Sequence, residues 1–123
     1  MKKTIDLIND LAFRLKWLDC SVQRFKQDEL VVSGSDDMAY YHNFEILFQN
    51  VHFYTGVFNW KWDCADHNDL ITIIEDKNLK LDINKKFRVE QGNILLKFNN
   101  QDNLDIIVGC HAIEFSDKVV KYF

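Results

Sequence analysis

Short runs in which apolar and polar residues alternate fill most of this chain, and they restrict its fold more than any other feature. The longest run covers residues 40–48, and the side chains on its apolar face are Tyr40, His42, Phe44, Ile46 and Phe48. A period of two is typical of β-strands that bury one face. Further strand candidates lie at residues 18–22, 30–32, 51–53, 58–62, 70–74, 79–83, 87–89, 94–98 and 104–112. The 70–74 segment is apolar on both faces, as expected of a central strand.

The N-terminal segment has a different period. Its apolar residues recur every three or four positions: Ile5, Ile8, Leu11, Ala12, Leu15 and Leu18. This spacing predicts an amphipathic helix over residues 4–16, with Thr4 as its N-cap. Together with the strand candidates it predicts an α+β, mostly β fold. We expect this helix to pack on a curved, mainly antiparallel sheet of about eight strands.

Details of the pattern place bends, turns and core residues. The 18–22 and 30–32 runs should form a hairpin, and a shift of apolar parity after residue 48 requires a bulge or bend near Gln49-Asn50. A turn is expected at Gln91-Gly92-Asn93. The predicted core consists of Ile8, Leu11, Leu15, Phe44, Ile46, Phe48, Ile73, Leu96, Ile106 and Val108.

Length and composition indicate one ordinary globular domain over residues 1–123. Hydrophobic residues make up 47% of the 123 positions, proline is absent, and the four glycines form no linker. Asp6 and Asp10 interrupt the segment in which a signal peptide needs its apolar centre, and no apolar run is long enough to span a bilayer. We therefore expect a cytoplasmic protein that does not bind membranes.

The charge balance bears on the kind of partner. Fifteen Lys and Arg against nineteen Asp and Glu give a net charge of −4. This argues against nucleic acid as a partner and favours a basic protein. Acidic residues gather at Asp36-Asp37 and in the loop that contains Asp63, Asp66 and Asp69. Such loops are either solvated turns or an acidic docking surface.

Two tryptophans precede the second acidic loop. Trp60 and Trp62 share one face of a predicted strand, and each carries an indole N–H that needs a partner or an exposed rim. Although most aromatic residues of a small β domain fill its core, these two would anchor a partner if either is exposed. The predicted binding residues are therefore Asp63, Asp66, Asp69, Trp60, Trp62, Asp36 and Asp37.

The cysteines and histidines form no complete metal or catalytic motif. Cys64 and His67 are spaced for one metal ion but supply only half of a tetrahedral site, and Cys110-His111 would point to opposite faces of a strand. The odd number of cysteines, Cys20, Cys64 and Cys110, predicts reduced thiols without metal. We expect no cofactor. An enzyme would need two or more of His42, His67, His111 and Cys64 to converge.

Two segments carry a resemblance to a known class. They are His42-Asn43-Phe44-Glu45-Ile46-Leu47-Phe48-Gln49-Asn50-Val51 and Gly109-Cys110-His111-Ala112-Ile113-Glu114-Phe115. This pattern resembles small bacterial toxin-immunity proteins of interbacterial competition systems. The resemblance implies a single-domain cytosolic protein that binds and neutralises one toxin, often a nuclease, without catalysis of its own.

The leading hypothesis is thus a non-enzymatic, immunity-type inhibitor that covers a basic active site with acidic loops. The alternative is a small-molecule-binding domain, with an aromatic-lined cavity in the curved sheet formed by Tyr40, His42, Trp60 and Trp62. A deep cavity would favour the alternative, and converging polar groups would favour an enzyme. A filled interior with an acidic surface would favour the inhibitor.

Overall fold

The structure is a computed structural model that describes residues 1–89 and 92–123. In these residues the chain forms two α-helices and eleven strands. The helices are α1 (Lys2–Leu15) and α2 (Lys77–Phe87). The strands are β1 (Trp17–Lys26), β2 (Glu29–Ser35), β3 (Tyr41–His42), β4 (Phe44–Gln49), β5 (Phe53–Thr55), β6 (Asn59–Asp63), β7 (Ile71–Ile73), β8 (Ile94–Phe98), β9 (Ile107–Cys110), β10 (Ala112–Ser116) and β11 (Val120–Lys121). The α+β, mostly β fold is confirmed.

The strands form three antiparallel sheets rather than one. A five-stranded sheet has the order β10-β4-β2-β1-β6, a four-stranded sheet has the order β5-β9-β8-β7, and β11 pairs with β3. Every strand pairing among the described residues is antiparallel. The strand count exceeds the expected eight because β3, β5 and β11 are only two or three residues long, too short to show a periodicity.

The first helix follows its predicted periodicity but begins earlier than expected. It buries Ile5, Ile8 and Ala12 against the core. Thr4 is wrong as the N-cap, since Met1 holds that position without a side-chain hydrogen bond and the helix begins at Lys2. Residues of α1 contact strands of both large sheets, β10 and β7 among them. The helix therefore covers part of the space where the two sheets meet.

The predicted hairpin and bend are both present. Strand β1 pairs with β2 in a register that places Val22 opposite Val32, with an irregularity after Val22. Strand β4 ends at Gln49, and Asn50 then adopts a positive φ of 51°. Beyond this bend the His52 N–H donates to the Gly109 carbonyl at 2.7 Å. The chain thus leaves the five-stranded sheet and enters the four-stranded one.

The strand predicted over residues 79–83 is wrong, because this segment lies in α2. Leu79 and Ile83 are one helical turn apart, and Phe87 continues the same row. The Asp76 carboxylate accepts a hydrogen bond from the Leu79 N–H at 2.9 Å and caps the helix. Leu81, which alternation would have buried, is 65% exposed. The strand predicted at 87–89 is also wrong, because Phe87 is the last residue of α2, Arg88 caps the helix with a φ of 54°, and Val89 lies in no strand.

The turn predicted at Gln91-Gly92-Asn93 extends outside the described residues, since residue 91 is not described.

Aromatic side chains fill the space between the two large sheets. Phe98 of the four-stranded sheet packs against Trp60 and Phe48 of the five-stranded sheet, with ring centroids 4.9 Å and 5.9 Å away. Seven of the ten predicted core residues are buried, and Leu11, Leu15 and Ile73 are partly buried against the same cluster. The interior is therefore packed with side chains.

A second, smaller cluster lies on the opposite face of the four-stranded sheet. It contains Ile74, Leu95 and Ile107 together with Ile83 of α2.

Neither helix in the described part of the chain is long and apolar enough to cross a bilayer.

Candidate functional site

The acidic loop after β6 is a short, well-hydrogen-bonded segment. Residues Cys64–Asp66 form one turn of 3₁₀-helix, and the Asp63 carboxylate accepts a hydrogen bond from the Ala65 N–H at 2.9 Å. His67 ends this turn in the left-handed conformation, with φ 59°. Asp63 therefore caps the loop, whereas the Asp66 and Asp69 side chains are exposed.

Both tryptophans of β6, the strand before this loop, are buried. Trp62 is 1% exposed, and its Nε1–H donates to the Asn68 carbonyl at 3.1 Å. Trp60 is 4% exposed, and its Nε1 is buried without a hydrogen-bond partner among the described residues. The expected anchor role required an exposed indole, and neither residue meets that condition. Trp62 supports the loop from inside.

An aromatic side chain that sequence reasoning missed lies on the outside of Trp62. The Phe13 ring meets Trp62 edge to face, with centroids 5.2 Å apart and an interplanar angle of 82°. Phe13 remains 39% exposed. Its signal in the sequence is weak but present: it is a large apolar residue that does not fit the three- and four-residue spacing of the buried helix face.

The same flank of α1 is hydrogen-bonded to the strand that follows the acidic loop. The Asn9 side chain donates to the Ile71 carbonyl at 2.9 Å and accepts from the Ile71 N–H at 3.0 Å. Asp6 and Asp10 are exposed, and Asp6 lies one helical turn before Asn9, as Asp10 does before Phe13. The Asn9 and Phe13 contacts place this flank of α1 against β7 and Trp62, the elements that adjoin the acidic loop.

We call Asp6, Asp10, Asp66, Asp69 and Phe13 together the acidic surface. In the described part of the chain none of these four carboxylates is within 4.0 Å of a basic side chain, since the ion pairs found there both involve Glu45. Exposed carboxylates without ion partners contribute little to stability.

The other predicted acidic residues, Asp36 and Asp37, are partly buried in their own turn. The Asp36 carboxylate accepts a hydrogen bond from the Tyr41 hydroxyl at 2.6 Å, and this bond raises the pKa of Tyr41. The Asp37 N–H donates to the Ser35 hydroxyl at 2.9 Å, and the Asp37 carbonyl accepts from the Tyr41 N–H. These contacts hold the turn between β2 and β3.

His42 is buried in a side-chain network at the C-terminal strand. Its Nδ1 lies 2.8 Å from the Tyr122 hydroxyl and its Nε2 lies 3.0 Å from a Glu45 carboxylate oxygen. Glu45 is also 3.8 Å from Arg24. None of the other residues that an enzyme would need, His67, His111 or Cys64, is part of these contacts. The network ties β11 to β3.

The thiols and histidines do not form a metal centre where the structure describes them. No group of three or more His, Cys, Asp and Glu residues is arranged to hold a metal ion among residues 1–89 and 92–123. Burial raises the pKa of Cys20, and it raises the pKa of Cys110 to about 11 against a partial opposing effect of the Ala112 backbone hydrogen bond. These two thiols are thus poor nucleophiles.

The residues of the proposed aromatic cavity are dispersed. Tyr40 is 60% exposed, whereas His42, Trp60 and Trp62 are buried in different contacts. Trp60 lines one shallow surface pocket of about 250 Å³, which the other three residues do not reach. The geometry therefore offers no support for a ligand held by these four side chains.

No family model, curated protein or solved structure matches this chain.

Proposed function

We propose that this chain is a non-enzymatic binding protein, an immunity-type inhibitor that neutralises a basic toxin such as a nuclease. The acidic surface would cover the basic active site of the toxin. The net charge of −4 and the packed interior support this function over a ligand-binding or catalytic one.

The observation that carries the proposal is the combination at the acidic surface. A half-exposed aromatic ring, Phe13, rests on a rigid buried residue, Trp62, and exposed carboxylates without ion partners lie on the two adjoining elements. Aromatic anchors surrounded by polar residues are typical of protein interfaces. Of the predicted binding residues, Asp66 and Asp69 retain a contact role in this proposal. Asp63 and Trp62 hold the surface in shape.

The first experiment tests the biological activity. The product of the gene next to this one in the source genome is expressed alone and together with this chain. We expect growth inhibition by the neighbour alone and recovery on co-expression. A toxic neighbour whose effect is unchanged by this chain would overturn the proposed function.

The second experiment tests the surface with that partner. Replacing Asp66 and Asp69 by Asn should slow association about tenfold at low salt and reduce its dependence on salt. The matched control replaces Asp28 and Asp117, two exposed residues elsewhere, by Asn and changes the net charge equally. Equal kinetics for the two double variants would show that long-range charge alone acts and that this loop is not in the interface.

The third experiment concerns the anchor. Phe13→Ala should accelerate dissociation by a factor that corresponds to about 2 kcal/mol or more. Phe25→Ala is the control, since Phe25 is also an aromatic residue of a regular element and is 53% exposed. An unchanged dissociation rate for Phe13→Ala would remove Phe13 from the interface.

A further inference from the structure

A pocket of about 220 Å³ lies between α2 and the four-stranded sheet, on the face turned away from the main core. Its floor includes Ile74, Ile83 and Ile107, which belong to the smaller apolar cluster. Ligand pockets for drug-sized molecules are larger, about 300 Å³ and above. The volume and the aliphatic floor therefore suit a much smaller molecule with a branched aliphatic group.

Each wall of the pocket carries one positive and one negative side chain. Asp82 and Lys86 lie one turn apart on α2, and Lys97 and Asp105 line the sheet side. Within the described chain no Lys nitrogen of this group is within 4.0 Å of a carboxylate oxygen, since both ion pairs found involve Glu45. The four charged groups are thus not paired with one another; Asp82, Lys86 and Asp105 are exposed at the rim, and Lys97 is half-buried.

Lys97 is the unexpected member of this group. It lies on β8, a central strand of the sheet, opposite Thr72 of β7 and Ile107 of β9. Its side chain is on the same face as Leu95, which is 2% exposed and packs in the smaller cluster. An alternating strand more often carries an apolar residue at such a position, and Lys97, which is half-buried, adds a positive charge beside the apolar floor. A bound anionic group would give this ammonium group an ion partner.

We propose that this pocket binds a small aliphatic zwitterion, an amino acid with a branched side chain such as leucine. The ligand carboxylate would contact Lys86 and Lys97, its ammonium group would contact Asp82 and Asp105, and its side chain would cover the isoleucine floor. A ligand with one charge would contact only the two wall groups of opposite sign. This inference is independent of the acidic surface and of the inhibitor function.

The test uses the full chain and L-leucine as the probe, with calorimetry and backbone amide NMR as readouts. We expect saturable binding, with shifts confined to α2, β8 and the segment before β9. Three analogues separate the contributions: 4-methylpentanoate lacks the ammonium group, 3-methylbutylamine lacks the carboxylate, and glycine lacks the side chain. Each should bind at least about tenfold more weakly than leucine.

Variants test the assigned residues. Lys97→Met keeps the aliphatic stem and Asp105→Asn keeps the shape, and each should weaken leucine binding about tenfold or more. Lys61→Met and Asp117→Asn, at exposed positions outside the pocket, should bind as the unmodified chain does. Circular dichroism melting curves check that each variant is folded.

Three outcomes would overturn the proposal. One is the absence of saturation at about 10 mM leucine. Another is equal affinity for leucine and its singly charged analogues, which would indicate a purely apolar cleft. The last is unchanged leucine affinity in the folded Lys97→Met variant.

Discussion

The Asn9 side chain occupies both main-chain hydrogen-bonding groups of Ile71, with its amide nitrogen 2.9 Å from the Ile71 oxygen and its amide oxygen 3.0 Å from the Ile71 nitrogen. Ile71 begins β7, which is an edge strand of the four-stranded sheet. Asn9 thus pairs with the edge much as a neighbouring strand would. A paired edge cannot recruit another chain at this point, and the contact fixes α1 against the sheet.

This contact leads to a prediction on stability. Asn9→Ala should lower the free energy of unfolding by about 2 kcal/mol or more, because it leaves two backbone groups of Ile71 without partners in a buried site. Urea denaturation measures the change. Asn78→Ala, at an exposed helical position, is the control and should change stability by less than about 0.5 kcal/mol. Similar values for the two variants would mean that water replaces the Asn9 amide.

The second helix should depend on its N-cap. Ile83 is its only buried residue among those described, so little packing opposes local unfolding. Asp76→Ala should destabilise α2 by about 1 kcal/mol, whereas Asp76→Asn keeps a capping oxygen and should be nearly neutral. Hydrogen exchange of the α2 amides distinguishes the two. Equally rapid exchange in both variants would assign the effect to charge rather than to the cap.

The two buried tryptophans should differ in their response to phenylalanine. Both substitutions leave a similar space, but only Trp62→Phe removes a hydrogen bond, the one to the Asn68 carbonyl. We expect Trp62→Phe to cost about 1 kcal/mol more than Trp60→Phe in chemical denaturation. Equal losses, or a larger loss for Trp60→Phe, would contradict the assignment of the Trp62 indole as the support of the acidic loop.

Thiol reactivity should follow burial. In the folded protein at about pH 8, a disulfide-exchange reagent should modify Cys64 rapidly and the buried Cys20 and Cys110 slowly. Under denaturing conditions all three thiols should react. Fewer than three would indicate a disulfide, and stoichiometric zinc in protein purified without a histidine tag would contradict the prediction of thiols without metal.

The raised pKa of Cys110 also makes stability depend on pH. Burial raises this pKa from 9.0 to about 11. Between these values the unfolded chain loses the thiol proton and the folded protein keeps it, so the free energy of unfolding falls as pH rises from about 9 to about 11. Urea midpoints across this range should fall less steeply in Cys110→Ala. Parallel slopes in the two proteins would show that Cys110 does not contribute.

Local patterns in the sequence predicted much of the fold. The spacing from Ile5 to Leu15 determined a helix, and the alternation in β1 and β4 determined strands with the correct buried face. The change of parity after Phe48 located the bend at Asn50. These features depend on residues close together in the chain, so they are visible without tertiary structure.

The segment from Leu79 to Ile83 was assigned to the wrong element because five residues fit both periods. Leu79 and Ile83 share a face in a strand and in a helix, and the decision came from the Asp76 cap and from an apolar sheet face that α2 covers. That face is assembled from strands distant in sequence.

Exposure at the candidate site was decided by tertiary structure in the same way. The sequence established the acidic charge and the alternation that places Trp60 and Trp62 on one face of β6. Only the packing of Phe98 against Trp60 and of Phe13 on Trp62 decided that this face is internal. The capping role of Asp63 and the proximity of α1 to the acidic loop depend on contacts made after the chain has folded. Burial is a property of the assembled layers, whereas periodicity is a property of the local chain.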